Sequence, residues 1–201
     1  ICYLFPEPSY FFFSSDVPAL LYYAYIPTVI IALFVGCYTF WNGRKFLLNQ
    51  LLLWISVTFT FWVLSILIEW TNIHSNFILF VWNFQGIIFS FLAILCIYFI
   101  YVFIDKKDIS VRLKVIFLTL LAPILITTPT LYLKGFNVTN CDAFNFEWGP
   151  FKAYYTILGV LAIIWTLILF IRRYRVATLD VKKQIILMGT GMEIFLFLFF
   201  I

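Results

Sequence analysis

Charge is scarce in this chain. Only 11% of its 201 residues are Asp, Glu, Lys or Arg, where soluble domains carry about 25%. Histidine occurs once, at His74. One histidine and nine acidic residues leave little from which to build an acid–base pair or a metal centre. Cysteine occurs at Cys2, Cys37, Cys96 and Cys141. None of these shows a CxxC or Cys/His spacing for a metal. Cys37 and Cys96 lie inside apolar runs, where a thiol behaves as a small hydrophobe. A Cys2–Cys141 disulfide requires both residues to lie outside the cell. The chain has no phosphate-binding glycine loop, nucleophile elbow, zinc motif or kinase signature. No catalytic residue, metal ligand or cofactor is therefore assigned. The net charge of +4 is no sign of nucleic acid, because the bases sit in short segments between apolar runs.

What is present is apolar. Hydrophobic residues make up 65% of the chain and aromatics 22%, with 26 Phe, 12 Tyr and 7 Trp. A water-soluble fold could not hide so much apolar surface, so the solvent must be lipid. A spanning helix needs roughly 20 mostly apolar residues. Six runs meet or approach that length: 17–41, 47–69, 77–104, 115–133, 151–171 and 184–201. Asp16 and Pro18 mark the start of the first. β-Barrels are excluded, since their strands are short and alternate apolar with polar residues. The fold class expected is an all-α, polytopic transmembrane helix bundle, with six spans present of an expected seven. The chain starts at Ile1 without Met and stops inside an apolar run at Ile201, as a segment of a longer protein would.

Basic residues set the orientation. Segments 42–46, 105–114 and 172–183 hold eleven of the thirteen Lys and Arg residues. Lys134 and Lys152 are the other two. The positive-inside rule puts these three segments in the cytoplasm and the N-terminus outside. Arg172, Arg173 and Arg175 then anchor the topology against anionic headgroups. Thr178–Lys183 is expected to form a short cytoplasmic turn. The lipid bilayer is the first partner implied.

Polar residues inside the spans are few. Glu193 follows Gly189-Thr190-Gly191-Met192 in the sixth run. A mid-bilayer carboxylate costs at least ~2.5 kcal/mol on insertion scales. The readings that stay open are a proton-sensitive or ligand-contacting group, a neutral carboxyl bonded to a neighbouring helix, and a span shifted so that Glu193 sits shallower. Gly189 and Gly191 suit close helix packing better than phosphate binding. Asn83 and Gln85, in the third run, must find partners in lipid, either in a ligand pocket or in interhelical hydrogen bonds. Pro123 and Pro129 favour kinks in the fourth run. Thr127 and Thr128 can serve the carbonyls so freed, and a kink there opens space for a small ligand. His74, in the outer loop after the second run, belongs to no recognisable catalytic set; a solvated interfacial side chain is the expectation. The polar segment 134–150 is long enough to cover the outer mouth of the bundle.

Four further motifs come in order. They are Trp148-Gly149-Pro150-Phe151, Tyr154-Tyr155, Arg172-Arg173-Tyr174-Arg175 and Lys183-Gln184-Ile185-Ile186-Leu187. Together they resemble the N-terminal seven-helix membrane region of bacterial sensor histidine kinases. There Gly149-Pro150 would open the fifth helix, and Gln184 would open the sixth. The resemblance implies a sensor input module in a bacterial plasma membrane, followed by a seventh helix and cytoplasmic signalling domains in the same chain. It also implies a homodimer. Two features depart from the pattern: the seventh helix is absent, and Glu193 puts an acid where an apolar residue is expected. The alternative is a small transporter or channel with Asn83, Gln85 and Glu193 along a pathway, although no internal repeat supports it. A membrane-embedded enzyme would need clustered His, Asp or Glu.

Overall fold

Backbone amides in lipid have no water to bond, so continuous apolar runs close their hydrogen bonds within helices. The computed structural model describes residues 17–72, 75–126, 133–135, 147–149 and 151–200. The order is α1 (Ala19–Asn42), α2 (Leu47–Thr71), α3 (Ser75–Asp105), α4 (Val111–Ile126), β1 (Leu133–Gly135), β2 (Glu147–Trp148), α5 (Phe151–Val176) and α6 (Leu179–Phe200). Among the described residues, α1, α2, α3 and α5 are long and apolar enough to cross a membrane. The six expected spans thus correspond to six helices, of which four meet the length and composition for crossing.

Four expected boundaries shift. The fourth helix begins at Val111 rather than 115, taking in Arg112 and Lys114, and is described as far as Ile126. Leu133, expected at its end, instead pairs with Trp148 in a two-stranded antiparallel ribbon. This ribbon is a small β addition to the expected all-α fold. The sixth helix begins at Leu179 rather than 184, so Thr178–Lys183 is mostly its first turn, with the Lys182 amide donating to the Thr178 carbonyl. A basic residue in a short apolar-flanked segment does not stop a helix, since Lys and Arg are good helix formers. The fifth helix likewise runs on to Val176 and carries Arg173 and Arg175 in its last turn, where cations favour the helix C-terminal dipole.

At the start of α1, Pro18 holds the residue before the helix at φ −53°, ψ 127° without a side-chain cap. Asp16 lies outside the described residues.

The helices pack in the sequence α1–α2–α3–α5–α6, with α4 laid on α3. α3 is the central post: Leu92, Ala93, Cys96 and Ile100 are fully buried. Two apolar clusters flank it. One joins Leu51 and Ile55 of α2, Phe99 of α3, Phe170 of α5 and Leu196 of α6. The other joins Ile97 of α3, Phe117 and Ile124 of α4 and Ala162 of α5. α1 lies at the rim, with Leu20, Ile30 and Phe34 facing outward.

Lipid tails are as apolar as leucine, so close packing rather than water exclusion holds such a bundle together. Gly36 of α1 shows this: a Cβ there would lie 2.7 Å from Ser56 Cβ on α2. Gly86 of α3 likewise lets the Tyr155 ring of α5 approach, within 2.7 Å of where a Cβ would stand. β1 rests against α3.

Candidate functional site: polar groups inside the bundle

Among the polar contacts described between helices inside the apolar bundle, two involve a carboxyl group. The first lies toward the ends of α2 and α3 farthest from the basic segments. Ser65 and Glu69 stand four apart on α2 and so share a face. Gln85 of α3 meets that face. Its Nε2 donates to Ser65 Oγ at 3.1 Å, and its amide also hydrogen-bonds the Glu69 carboxyl. Ser65 Oγ in turn donates to the Trp62 carbonyl at 2.7 Å. Gln85 and Ser65 are buried. Glu69 Oε1 is shut off from solvent and has no hydrogen-bond partner.

Gln85 was a sequence candidate, and the structure makes it an interhelical bridge. Asn83 is buried too, but its Nδ2 donates to the Leu79 carbonyl of its own helix at 2.8 Å. Residues two apart on a helix do not face each other, so Asn83 and Gln85 do not share one pocket wall. Glu69 and Ser65 were missed by sequence reasoning. Glu69 stands at the end of its run beside Trp70, where a solvated interfacial acid is the ordinary expectation. The four-residue spacing from Ser65 was the available signal.

The second contact joins α5 to α6. Thr166 is fully buried, and its Oγ1 donates to Glu193 Oε1 at 2.6 Å. The same hydroxyl lies 3.0 Å from the Ile163 carbonyl. Glu193 is thus bonded to a neighbouring helix, as one of the readings open from sequence has it. It is half-buried and also lines a groove of about 490 Å³ between α5 and α6, with Phe170 and Gly189. A Cβ on Gly189 would stand 3.2 Å from the Phe170 ring, so that glycine does permit close packing. Gly191 does not: nothing lies within 4 Å of its Cβ position. It opens instead onto a second groove of about 440 Å³, lined by Ile55, Phe103 and Met192. The expectation that both glycines seat a neighbouring helix holds for Gly189 alone, because α6 turns Gly191 away from α5.

Other crossings are polar at a single point. Tyr154 Oη donates to the Leu120 carbonyl at 2.6 Å, tying α5 to α4. Trp165 Nε1 donates to Tyr101 Oη at 2.9 Å, tying α5 to α3.

At the basic end, Asp108 organises the α3–α4 turn. It accepts from Lys114 Nζ at 2.5 Å, from Tyr98 Oη at 2.5 Å and from the Ile109 amide at 2.7 Å. The Lys114 and Tyr98 bonds hold the Asp108 carboxyl below the usual carboxylate range, and Asp108 raises the Lys114 ammonium above its own. Lys106 closes α3 in the left-handed region at φ 53°, its amide bonding the Val102 carbonyl at 2.8 Å.

Of the remaining sequence candidates, Gln184 is exposed and Gly149 is buried. Thr127, Thr128, Pro150, His74, Cys2 and Cys141 lie outside the described residues. Cys37 and Cys96 are free thiols. Among the described residues, no group of His, Cys, Asp and Glu is arranged to hold a metal ion. No protein-family model, curated protein or solved structure matches this chain. Among the described residues, the carboxyl chemistry inside the bundle is hydrogen bonding at Glu69 and Glu193.

Proposed function

We propose that this chain is the membrane-embedded input module of a signal-transduction protein, with α6 as its moving element. The observation that carries the proposal is the seating of α6. One buried polar bond, Thr166 to Glu193, fastens it to α5, while apolar grooves of about 440 and 490 Å³ open beside it. Leu196 and Gly189 also pack α6 against its neighbours, but with a single interhelical carboxyl bond and two grooves beside it α6 has room for a second seating. A stimulus that favours one seating shifts the population. The resemblance to the membrane region of bacterial sensor histidine kinases makes a two-component kinase the output of choice. In this reading segments 42–46, 105–114 and 172–183 are cytoplasmic, which the positive-inside rule supports, and the membrane is the bacterial plasma membrane that the resemblance implies. Cytoplasmic signalling domains and a second copy of the chain are the partners that go with this reading.

The test is a distance measurement on the full-length gene product in nanodiscs. Spin labels on exposed Ile168 of α5 and Leu198 of α6 would report the α5–α6 separation, and autophosphorylation would report output. Thr166→Val and Glu193→Leu are expected to change both together. Unchanged separation and output in both variants would end this reading.

A second reading, a small transporter or channel, is favoured by the Ser65–Gln85–Glu69 cluster, which puts a carboxyl oxygen with no hydrogen-bond partner inside the bundle. Proton flux into liposomes that is lost in Glu69→Gln would support it.

A further inference from the structure

A further cavity lies at the basic end and has nothing to do with Glu193 or Gln85. Its volume is about 870 Å³. Three parts of the chain, far apart in sequence, bring cations to its wall: Lys45 between α1 and α2, Lys106 and Lys107 after α3, and Arg173 in the last turn of α5. All four are exposed at the rim. None takes part in an ion pair or a cation–π contact among the described residues. Neighbouring bases differ: Arg44 lies over the Phe40 ring, Lys182 over the Tyr174 ring, and Lys114 is paired with Asp108. The one acid on the wall is Asp108. Its carboxylate is already held by Lys114, Tyr98 and the Ile109 amide, so it makes no ion pair with any of the four cations. Gln184 adds an exposed amide at the start of α6.

Below this ring the wall is apolar, with Phe46, Leu47, Phe103 and Ile185. A cationic rim over an apolar wall at the end of a helix bundle matches one ligand chemistry: a phosphate-bearing headgroup with acyl chains attached. Single phosphates or soluble phosphate compounds would satisfy the rim but not the wall.

We propose that this cavity binds the headgroup of an anionic phospholipid from the adjoining leaflet. The phosphate sits among Lys45, Lys106, Lys107 and Arg173, and the chains lie along the apolar wall. Basic pockets between helices at a membrane surface are suited to this, because a bound phosphate gains several charge-assisted bonds at once. The site touches Val181, Gln184 and Ile185, so its occupant braces the first turns of α6 against the α1–α2 and α3–α4 connections. Binding itself does not depend on the signalling role proposed above.

The experiment is native mass spectrometry of the delipidated chain, titrated with phosphatidylglycerol and, in parallel, with phosphatidylcholine of the same acyl chains. Phosphatidylglycerol is expected to bind at least about tenfold more tightly. The combined Lys45→Gln/Lys107→Gln/Arg173→Gln variant is expected to lose about tenfold or more in that affinity. The control Arg44→Gln/Arg112→Gln/Arg172→Gln, which removes three bases that do not line the cavity, is expected to change it by less than about threefold. Equal loss in both triple variants would mean only diffuse attraction and would overturn the site. Saturable binding of inorganic phosphate that displaces the lipid would assign the cavity to a soluble phosphate compound and overturn the lipid assignment. A wild-type measurement makes the result independent of how the variants fold. Phosphatidylglycerol should shield Lys45, Lys106 and Lys107 from amine acylation in nanodiscs while leaving Lys183 reactive. Equal reactivity of all four, with and without the anionic lipid, would also overturn the site.

Discussion

Thr166 Oγ1 lies 2.6 Å from Glu193 Oε1, and this bond fastens α6 to α5 inside the bundle. Glutamine at 193 can keep a bond to the Thr166 hydroxyl; leucine cannot. Interhelical hydrogen bonds in membranes contribute about 0.6 kcal/mol on average and up to about 1.7. Glu193→Leu and Thr166→Val are each expected to lower stability in detergent unfolding by about 1 kcal/mol, and Glu193→Gln by less. The two losses should be strongly non-additive in a double-mutant cycle. Additive losses would mean that the bond does not form.

The α2–α3 cluster predicts an asymmetry. Gln85→Leu strips Ser65 and Glu69 of a partner while leaving both polar groups inside the bundle. It should cost about 1–3 kcal/mol, because an abandoned buried polar group retains its full desolvation penalty. The combined Ser65→Ala/Glu69→Leu/Gln85→Leu variant should be more stable than Gln85→Leu alone. Chemical unfolding in micelles orders the two.

Two glycines predict opposite signs. At Gly36 a Cβ would meet Ser56 Cβ at 2.7 Å, and the stem of a side chain cannot swing aside. Gly36→Ala should force α1 away from α2 and cost about 1–3 kcal/mol. At Gly191 nothing lies within 4 Å, so Gly191→Ala should be neutral or stabilise by up to about 1 kcal/mol through helix propensity. Melting of both variants in the same detergent decides.

The α3–α4 turn should respond to acid. Lys114 and Tyr98 lower the Asp108 carboxyl, so its ionised form is favoured by folding. Its contribution is present above the ordinary carboxylate value of about 3.9 and is lost as pH falls through the lower folded value. The partner Lys114 is raised, so its share is present below about 10.4 and is lost as pH rises through a higher value. Protection of the Ile109 and Leu113 amides, after correction for the intrinsic pH dependence of exchange, should fall in acid. In Asp108→Asn that acid dependence should vanish.

Helix positions were largely legible in the sequence. α1, α2, α3 and α5 coincide with apolar runs to within a few residues, except that α5 continues through its arginines. Errors fell where charge was mistaken for a stop, at Val111, Val176 and Leu179. Candidate-site residues were less legible. Glu193 and Gln85 stood out as polar groups in apolar runs, and each does bridge two helices. Their partners did not stand out, because Ser65, Glu69 and Thr166 look ordinary on a membrane helix.

The sequence by itself determined that this is a chain of helices for an apolar solvent, since run length and composition alone decide whether a segment suits lipid. Its scattered bases set an expected orientation but not the helix ends, since α4, α5 and α6 run through several of them. Only the tertiary structure decided which faces meet. Helices apolar on every side carry no amphipathic stripe to say which side points inward, so pairing is settled by shape, as where Gly36 admits Ser56 and Gly86 admits Tyr155. That pairing, in turn, brings Thr166 to Glu193 and gathers Lys45, Lys106, Lys107 and Arg173 around one cavity.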